Sequence, residues 1–175
     1  MRLFVAIPFS EGSRQALVGL QRSLMEGAVK GRFTSPENLH LTLAFLGECK
    51  PGQVAALESV LEGTAFGPFE IQIDRLGRFQ RPGGDIWWAG LSESRPLFAL
   101  QRNLAERLRE AGFSLEQRKY SPHVTLGRQV VTEAAERKVA PFGERVTQIA
   151  LMVSERIQGR PLVYRSIYEK EADLG

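Results

Sequence analysis

Apolar residues recur at every second position in some stretches of this chain and at every third or fourth in others. The two periods divide it into strands and helices. The opening run MRLFVAIPF is dense in strand formers and is stopped by Pro8 and Ser10. Leu17, Leu20 and Leu24 then recur at helical spacing, which predicts a helix over 11–28 closing near Gly27. ENLHLTLAFLGE alternates: Leu39, Leu41, Leu43 and Phe45 share one strand face, and His40, Thr42, Ala44 and Leu46 the other. Pro51 opens a short helix carrying Val54, Leu57 and Leu61. FEIQIDRLGRF alternates again, RPGGD supplies a turn, and DIWWAGL starts a further strand.

The second half repeats that order. Pro96 opens a helix with Leu97, Leu100, Leu104, Leu108 and Ala111 on one face, closed by Gly112. SPHVTLGR reads as a strand, 132–139 as a short polar helix, RVTQIALMV as a strand and PLVYRSIYE as a last strand. Equivalent strands begin at Arg2 and Ile86, 84 residues apart, and the histidines lie 83 apart. The repeat predicts an α+β chain forming one domain over 1–175, with two lobes related by a pseudo-twofold axis. Two antiparallel sheets would face a central cleft, helices on the outer faces, with equivalent central strands opposed across the groove.

The candidate chemistry lies on those opposed strands. The only two histidines, His40 and His123, open the patterns His-Leu-Thr-Leu and His-Val-Thr-Leu. With six threonines in 175 residues, a threonine two places after both histidines by accident is roughly a one-in-a-thousand event. Residues two apart on a strand share a face, so each lobe offers an imidazole and a hydroxyl side by side. Imidazoles titrate near neutrality, so one can serve as base while the other serves as acid. Hydroxyls and protonated imidazole can bind phosphate oxygens and stabilise developing charge. Such a set suits displacement at phosphorus. Without a carboxylate or cysteine beside them, two histidines fall short of a three-ligand metal site, so no metal and no cofactor is expected.

Composition narrows the setting. Hydrophobic residues at 43% and charged residues at 25% describe an ordinary globular chain. The single Cys49 can close no intrachain disulfide, which fits a reducing, cytoplasmic location, and no catalytic part is assigned to it. No apolar run approaches the roughly 20 residues of a membrane span, so no membrane association is expected. The run of Leu3, Val5 and Ile7 is broken by Pro8, Ser10 and Glu11 too early for a secretory leader. A net charge of +3 and a pI near 9.3 are compatible with an anionic partner. A monomer is expected.

These motifs resemble the two-histidine (2H) phosphoesterase superfamily, specifically its LigT/ThpR-like RNA 2′,3′-cyclic phosphodiesterases. The resemblance spans nearly the whole chain, through RLFVAIPF, ENLHLTLAFLGE, the WAGL strand and SPHVTLGR. It implies a bilobal fold with both motifs in one cleft and metal-independent opening of an RNA 2′,3′-cyclic phosphate to a 2′-phosphomonoester. Reversible 2′–5′ RNA joining belongs to some relatives. Carried over, His40 is the proton donor to the leaving 3′ oxygen, His123 the acceptor that activates water, and Thr42 and Thr125 hold the phosphate. Other substrates compatible with the motifs are 2′–5′ oligonucleotides and an ADP-ribose cyclic phosphate; a non-catalytic RNA- or nucleotide-binding module is the alternative of another class.

Further residues have two readings each. Arg128 could neutralise phosphate, but regular strand parity turns it away from His123 and Thr125 unless Gly127 introduces a bulge. Of the adjacent Trp87 and Trp88, one should face the core and the other the cleft or solvent, where Trp88 could stack a base. Phe9 could stack a base or cap the core. Arg118, Lys119 and Tyr120 could form a basic rim for an RNA backbone or an ordinary solvated loop.

Overall fold

The computed structural model describes residues 1–174. Nine strands and three α-helices follow one another as β1 (Arg2–Pro8), α1 (Glu11–Glu26), β2 (Ala28–Phe33), β3 (His40–Glu48), α2 (Val54–Gly63), β4 (Phe69–Phe79), β5 (Asp85–Leu91), α3 (Arg95–Glu110), β6 (His123–Thr132), β7 (Arg137–Val146), β8 (Gln148–Glu155) and β9 (Val163–Glu171). They form two antiparallel sheets, ordered β3-β1-β8-β9 and β2-β6-β5-β4-β7.

The helices form where caps and apolar spacing agree. Ser10 accepts a hydrogen bond from the Ser13 amide at the start of α1, and Ser94 one from the Leu97 amide at the start of α3. Leu17 and Leu24 are buried on α1, as are Leu97, Leu100, Leu104 and Leu108 on α3. α1 packs on β2, β6 and β7, α2 on β8 and β9, and α3 on β3 and β4. One buried cluster runs through both sheets, from Leu3, Val5 and Ile7 to Trp87, Val124 and Leu151.

The halves of the chain exchange strands. β4, the last strand of the first half, lies beside β5 in the second-half sheet, while β8 lies beside β1 in the first-half sheet. The series β3-β1-β8 in one sheet thus matches β6-β5-β4 in the other. The motif strands are not central as expected: β3 is an edge strand, and β6 is one strand from the edge, covered by β2. β3 and β6 nevertheless touch, which brings the two motifs together.

Three segments differ from the sequence reading. β2 was not foreseen, because it carries exposed Val29, Lys30 and Arg32 on a sheet edge rather than an apolar face. The expected helix over 132–139 is instead a loop leading into β7. The helix formers Ala134, Ala135 and Glu136 yield there to the free edge of β4, whose amides and carbonyls need a partner. The expected strand RVTQIALMV is divided at Thr147, where the chain leaves one sheet as β7 and enters the other as β8.

Candidate active site

His40 and His123 stand at the first positions of β3 and β6 and line one cleft of about 790 Å3 with Thr42, Thr125 and Arg128. Each imidazole is anchored in the same way. His40 Nδ1 donates to the Asn38 carbonyl at 2.7 Å, and His123 Nδ1 donates to the Ser121 carbonyl at 2.7 Å. A carbonyl can only accept, so the proton of each neutral ring resides on Nδ1 and Nε2 presents its lone pair. The Thr42 hydroxyl donates to His40 Nε2 at 2.9 Å. Asn38 is itself buried and held to the segment around β9, donating to the Leu162 carbonyl and accepting from the Tyr164 amide.

Both rings are backed by aromatic side chains. Phe4 and Tyr164 lie 4.8 and 5.1 Å from the His40 ring, and Phe79 and Trp88 lie 5.2 and 6.2 Å from that of His123. Burial lowers both histidine pKa values below their ordinary 6.5, opposed by the backbone hydrogen bonds and reinforced by the charge of Arg128. His123 further lowers His40, so the two imidazoles sit within electrostatic reach of each other.

Strand bulges decide what else reaches the cleft. On β6, β5 residues Trp87 and Trp88 pair with Gly127 and Thr125, and Asp85 pairs with Val130, so β6 holds an extra residue twice in succession. The first bulge inverts side-chain parity and the second, at Gln129 with φ 52°, restores it. Arg128 lies between them and is turned onto the face of His123 and Thr125. Among the described residues it has no carboxylate partner within 4.0 Å. β3 is bulged at the equivalent place: Val5 pairs with Ala44 but Ala6 with Thr42. Regular alternation put Phe45 in the core and Ala44 on the cleft face. The bulge reverses both, so Ala44 is 7% exposed, whereas Phe45 is 53% exposed and lines the cleft.

The remaining candidates divide. Phe9 is 5% exposed and belongs to the core, which ends its stacking reading. Trp87 is fully buried. Trp88 lies flat on Gly77 of β4, where an added Cβ would come within 2.2 Å of the indole, and it supports Phe79 and His123 from behind rather than lining the cleft. Tyr120 lines the cleft, yet its hydroxyl is engaged, donating to the Thr42 carbonyl at 2.8 Å. Arg118 and Lys119 do reach the cleft, together with Arg81, Arg102 and Arg109 and against Glu106 and Glu116. Cys49 is buried, and burial raises its thiol pKa. Among the described residues no group of three His, Cys, Asp or Glu side chains could hold a metal ion, and no helix is long and apolar enough to cross a membrane.

Two positioning residues were missed in the sequence. Gln21 of α1, 2% exposed, donates to the carbonyls of Thr34 at 2.7 Å and Leu126 at 2.9 Å. Gln101 of α3 donates to the Leu43 carbonyl at 3.3 Å. Leu43 and Leu126 are the equivalent residues just before each parity inversion, so each helix secures the bulge of a motif strand from the other half. The signal was present as LQRSL at 20–24 and LQRNL at 100–104.

Comparison with known proteins agrees with this arrangement. The LigT like Phosphoesterase family matches residues 7–88 and 90–163. An RNA 2′,3′-cyclic phosphodiesterase of Methanothermobacter thermautotrophicus is 32% identical over 174 residues, covering 93% of this chain and 94% of that one. Another, from Escherichia coli, is 31% identical over 166 residues, covering 91% and 90%. The crystal structure of E. coli LigT complexed with 3′-AMP superposes with a TM-score of 0.86 at 26% identity, covering 99% of this chain and 98% of that one. With paired His-x-Thr strands, swapped sheets and this extent of likeness, the chain belongs to the LigT-like phosphoesterase family.

Proposed function

We propose that this chain hydrolyses RNA ends bearing a 2′,3′-cyclic phosphate to 2′-phosphomonoesters. The observation that carries the reading is the pair of Nδ1-anchored imidazoles presenting Nε2 into one cleft beside Arg128. A cyclic phosphate bound there carries a negative charge, which favours protonation of His40. His123 Nε2 takes a proton from water as the water oxygen bonds to phosphorus. The bond from phosphorus to O3′ breaks as His40 delivers its proton to that oxygen. Thr42 and Thr125 donate to the non-bridging oxygens, and Arg128 offsets the charge that grows on them. No step needs a metal. A 5′-hydroxyl in place of water would give a 2′–5′ linkage by the same proton transfers.

Supporting this reading, relatives of similar length are RNA 2′,3′-cyclic phosphodiesterases, and the cleft's cations exceed its carboxylates. The cleft is completed within one chain, which supports a monomer as the active unit, and an unpaired buried Cys49 fits a cytoplasmic setting.

The test is a short RNA ending in a 2′,3′-cyclic phosphate, incubated in EDTA with wild type, His40→Ala and His123→Ala. Conversion of the cyclic end to an RNA 2′-phosphomonoester by wild type, reduced at least about a hundredfold in both variants, is expected. A rate abolished by EDTA would defeat the metal-free mechanism. Absence of turnover with retained RNA binding would favour a binding module, and turnover confined to 2′–5′ oligonucleotides or an ADP-ribose cyclic phosphate would move the substrate.

A further inference from the structure

The two halves of the site differ two residues before each histidine, at the carbonyls that hold the rings. His123 Nδ1 donates to the carbonyl of Ser121, which is exposed in a stretch without regular structure. His40 Nδ1 donates to that of Asn38, which is 6% exposed and ends a short helical turn over Pro36–Asn38. The Asn38 side chain is fully engaged elsewhere. Its Nδ2 donates to the Leu162 carbonyl at 2.8 Å, and its Oδ1 accepts from the Tyr164 amide at 3.0 Å. A carbonyl can only accept and an amide N–H only donate, so one orientation of the side chain satisfies both. β3 and β9 are opposite edges of one sheet, with β1 and β8 between them, and share no ladder. Asn38 thus joins two elements that strand pairing leaves apart. Tyr164 also packs edge-on against the His40 ring at 5.1 Å, and Thr42 bonds to its Nε2. Among the described residues, neither the Ser121 nor the Thr125 side chain makes a comparable hydrogen bond beside His123.

We propose that Asn38 is a positioning residue for His40: its side chain pins the carbonyl that holds Nδ1 to the start of β9, fixing the ring's tautomer and the direction of Nε2. Asn38 acts only through its own backbone, since its amide is spent on Leu162 and Tyr164. A buried amide is costly to leave unpaired, so the turn over 36–38 cannot swing away from β9 without stranding polar groups. His123 hangs from an exposed loop by one bond and keeps more freedom to turn. The inference rests on the proposed cyclic-phosphate reading only where that reading makes His40 the proton donor. A donor must face one leaving oxygen along one line, and a ring already set on that line spares the reaction its reorganisation. The two imidazoles, alike in motif, thereby differ in rigidity.

The chain has only two histidines, so each ring is its own reporter in an NMR spectrum. Ring-nitrogen shifts and exchange of the Nδ1 proton would be measured for wild type, Asn38→Ala and Asn38→Asp at about pH 8, where both rings are neutral. In wild type both rings should carry the proton on Nδ1, and that of His40 should exchange at least about tenfold more slowly than that of His123. Asn38→Ala should turn His40 into a mixture of tautomers and leave His123 unchanged. Asn38→Asp keeps the size and the acceptor but sets a carboxylate oxygen against the Leu162 carbonyl, and should do the same. With the RNA cyclic phosphate, kcat of both variants should fall about ten- to a hundredfold while KM changes less than about twofold. The wild-type comparison needs no variant, so it decides even where a variant fails to fold. Equal exchange of the two protons in wild type, an unchanged His40 tautomer in the variants, or equal changes at both histidines would overturn the proposal. A retained kcat, with or without a raised KM, would overturn it as well. If the spectra behave as expected and wild type leaves the RNA end intact, the positioning role stands and the assigned reaction fails.

Discussion

The phenol of Tyr120 donates to the backbone carbonyl of Thr42 at 2.8 Å, so the loop that leads into one His-x-Thr strand is fastened to the other. The ring is largely buried and packs edge-on against Phe98 of α3, and burial raises the phenol pKa well above its ordinary range.

Tyr120→Phe keeps the ring and removes the tie. Its expected cost is about 0.5–1.5 kcal/mol of stability, read from denaturant unfolding. The expected loss in kcat is several-fold with KM little changed, because the relative placement of the two imidazoles is loosened rather than the binding groups removed. A loss in kcat as large as that of a histidine variant would mean that the phenol itself takes part in the chemistry.

Gln21→Leu should be the more damaging of the two glutamine variants. It removes two hydrogen bonds from a side chain 2% exposed, at about 0.5–1.5 kcal/mol each. Gln101→Leu removes one longer bond at a partly buried site and should cost less than half as much. Because the Leu126 carbonyl precedes the bulge that turns Arg128, Gln21→Leu should also raise KM. Comparison of unfolding midpoints and Michaelis constants for the two variants checks both statements.

Removal of Arg128 should move the pH dependence as well as the rate. Its charge lowers the pKa of both histidines, so Arg128→Gln lets both rise and the bell-shaped profile of kcat/KM should shift to higher pH on both limbs. Arg128→Lys should keep the profile where it is while losing rate. A profile unmoved in Arg128→Gln would show that the arginine does not sit near the imidazoles in solution.

Stability should rise with pH through the histidine range. Both imidazoles have native pKa values below the ordinary 6.5, so between those values and 6.5 the unfolded chain binds more protons than the native one. The stability is complete above about pH 6.5 and is lost as pH falls through the native values. Urea unfolding between pH 5 and 8 should show this slope, and a His40→Gln, His123→Gln double variant should flatten it.

Both motif strands were legible in the sequence because alternation and a duplicated His-x-Thr agree. The residues beyond the motifs were not, since alternation presumes an unbroken pleat. One inserted residue per strand sends Phe45 and Arg128 to the cleft; Gly127 offered such a bulge as one reading for Arg128, whereas Ala44 gave no sign of it for Phe45. β2 and β7 escaped for a different reason: they are sheet edges, defined by the neighbour that needs hydrogen bonds rather than by their own apolar faces. Gln21 and Gln101 carried a readable signal, but only a comparison of the helices with each other exposes it.

The exchange of strands has a consequence for how such a chain can be divided. A break in the turn between Phe79 and Asp85 would leave the first fragment with β1 and β3 paired but β2 and β4 stranded. The second would hold β7 without its neighbour and the hairpin of β8 and β9 without β1. Neither fragment has a closed core, yet the two are complementary along every missing edge. Mixed together, they should fold only as a pair and regain the cleft.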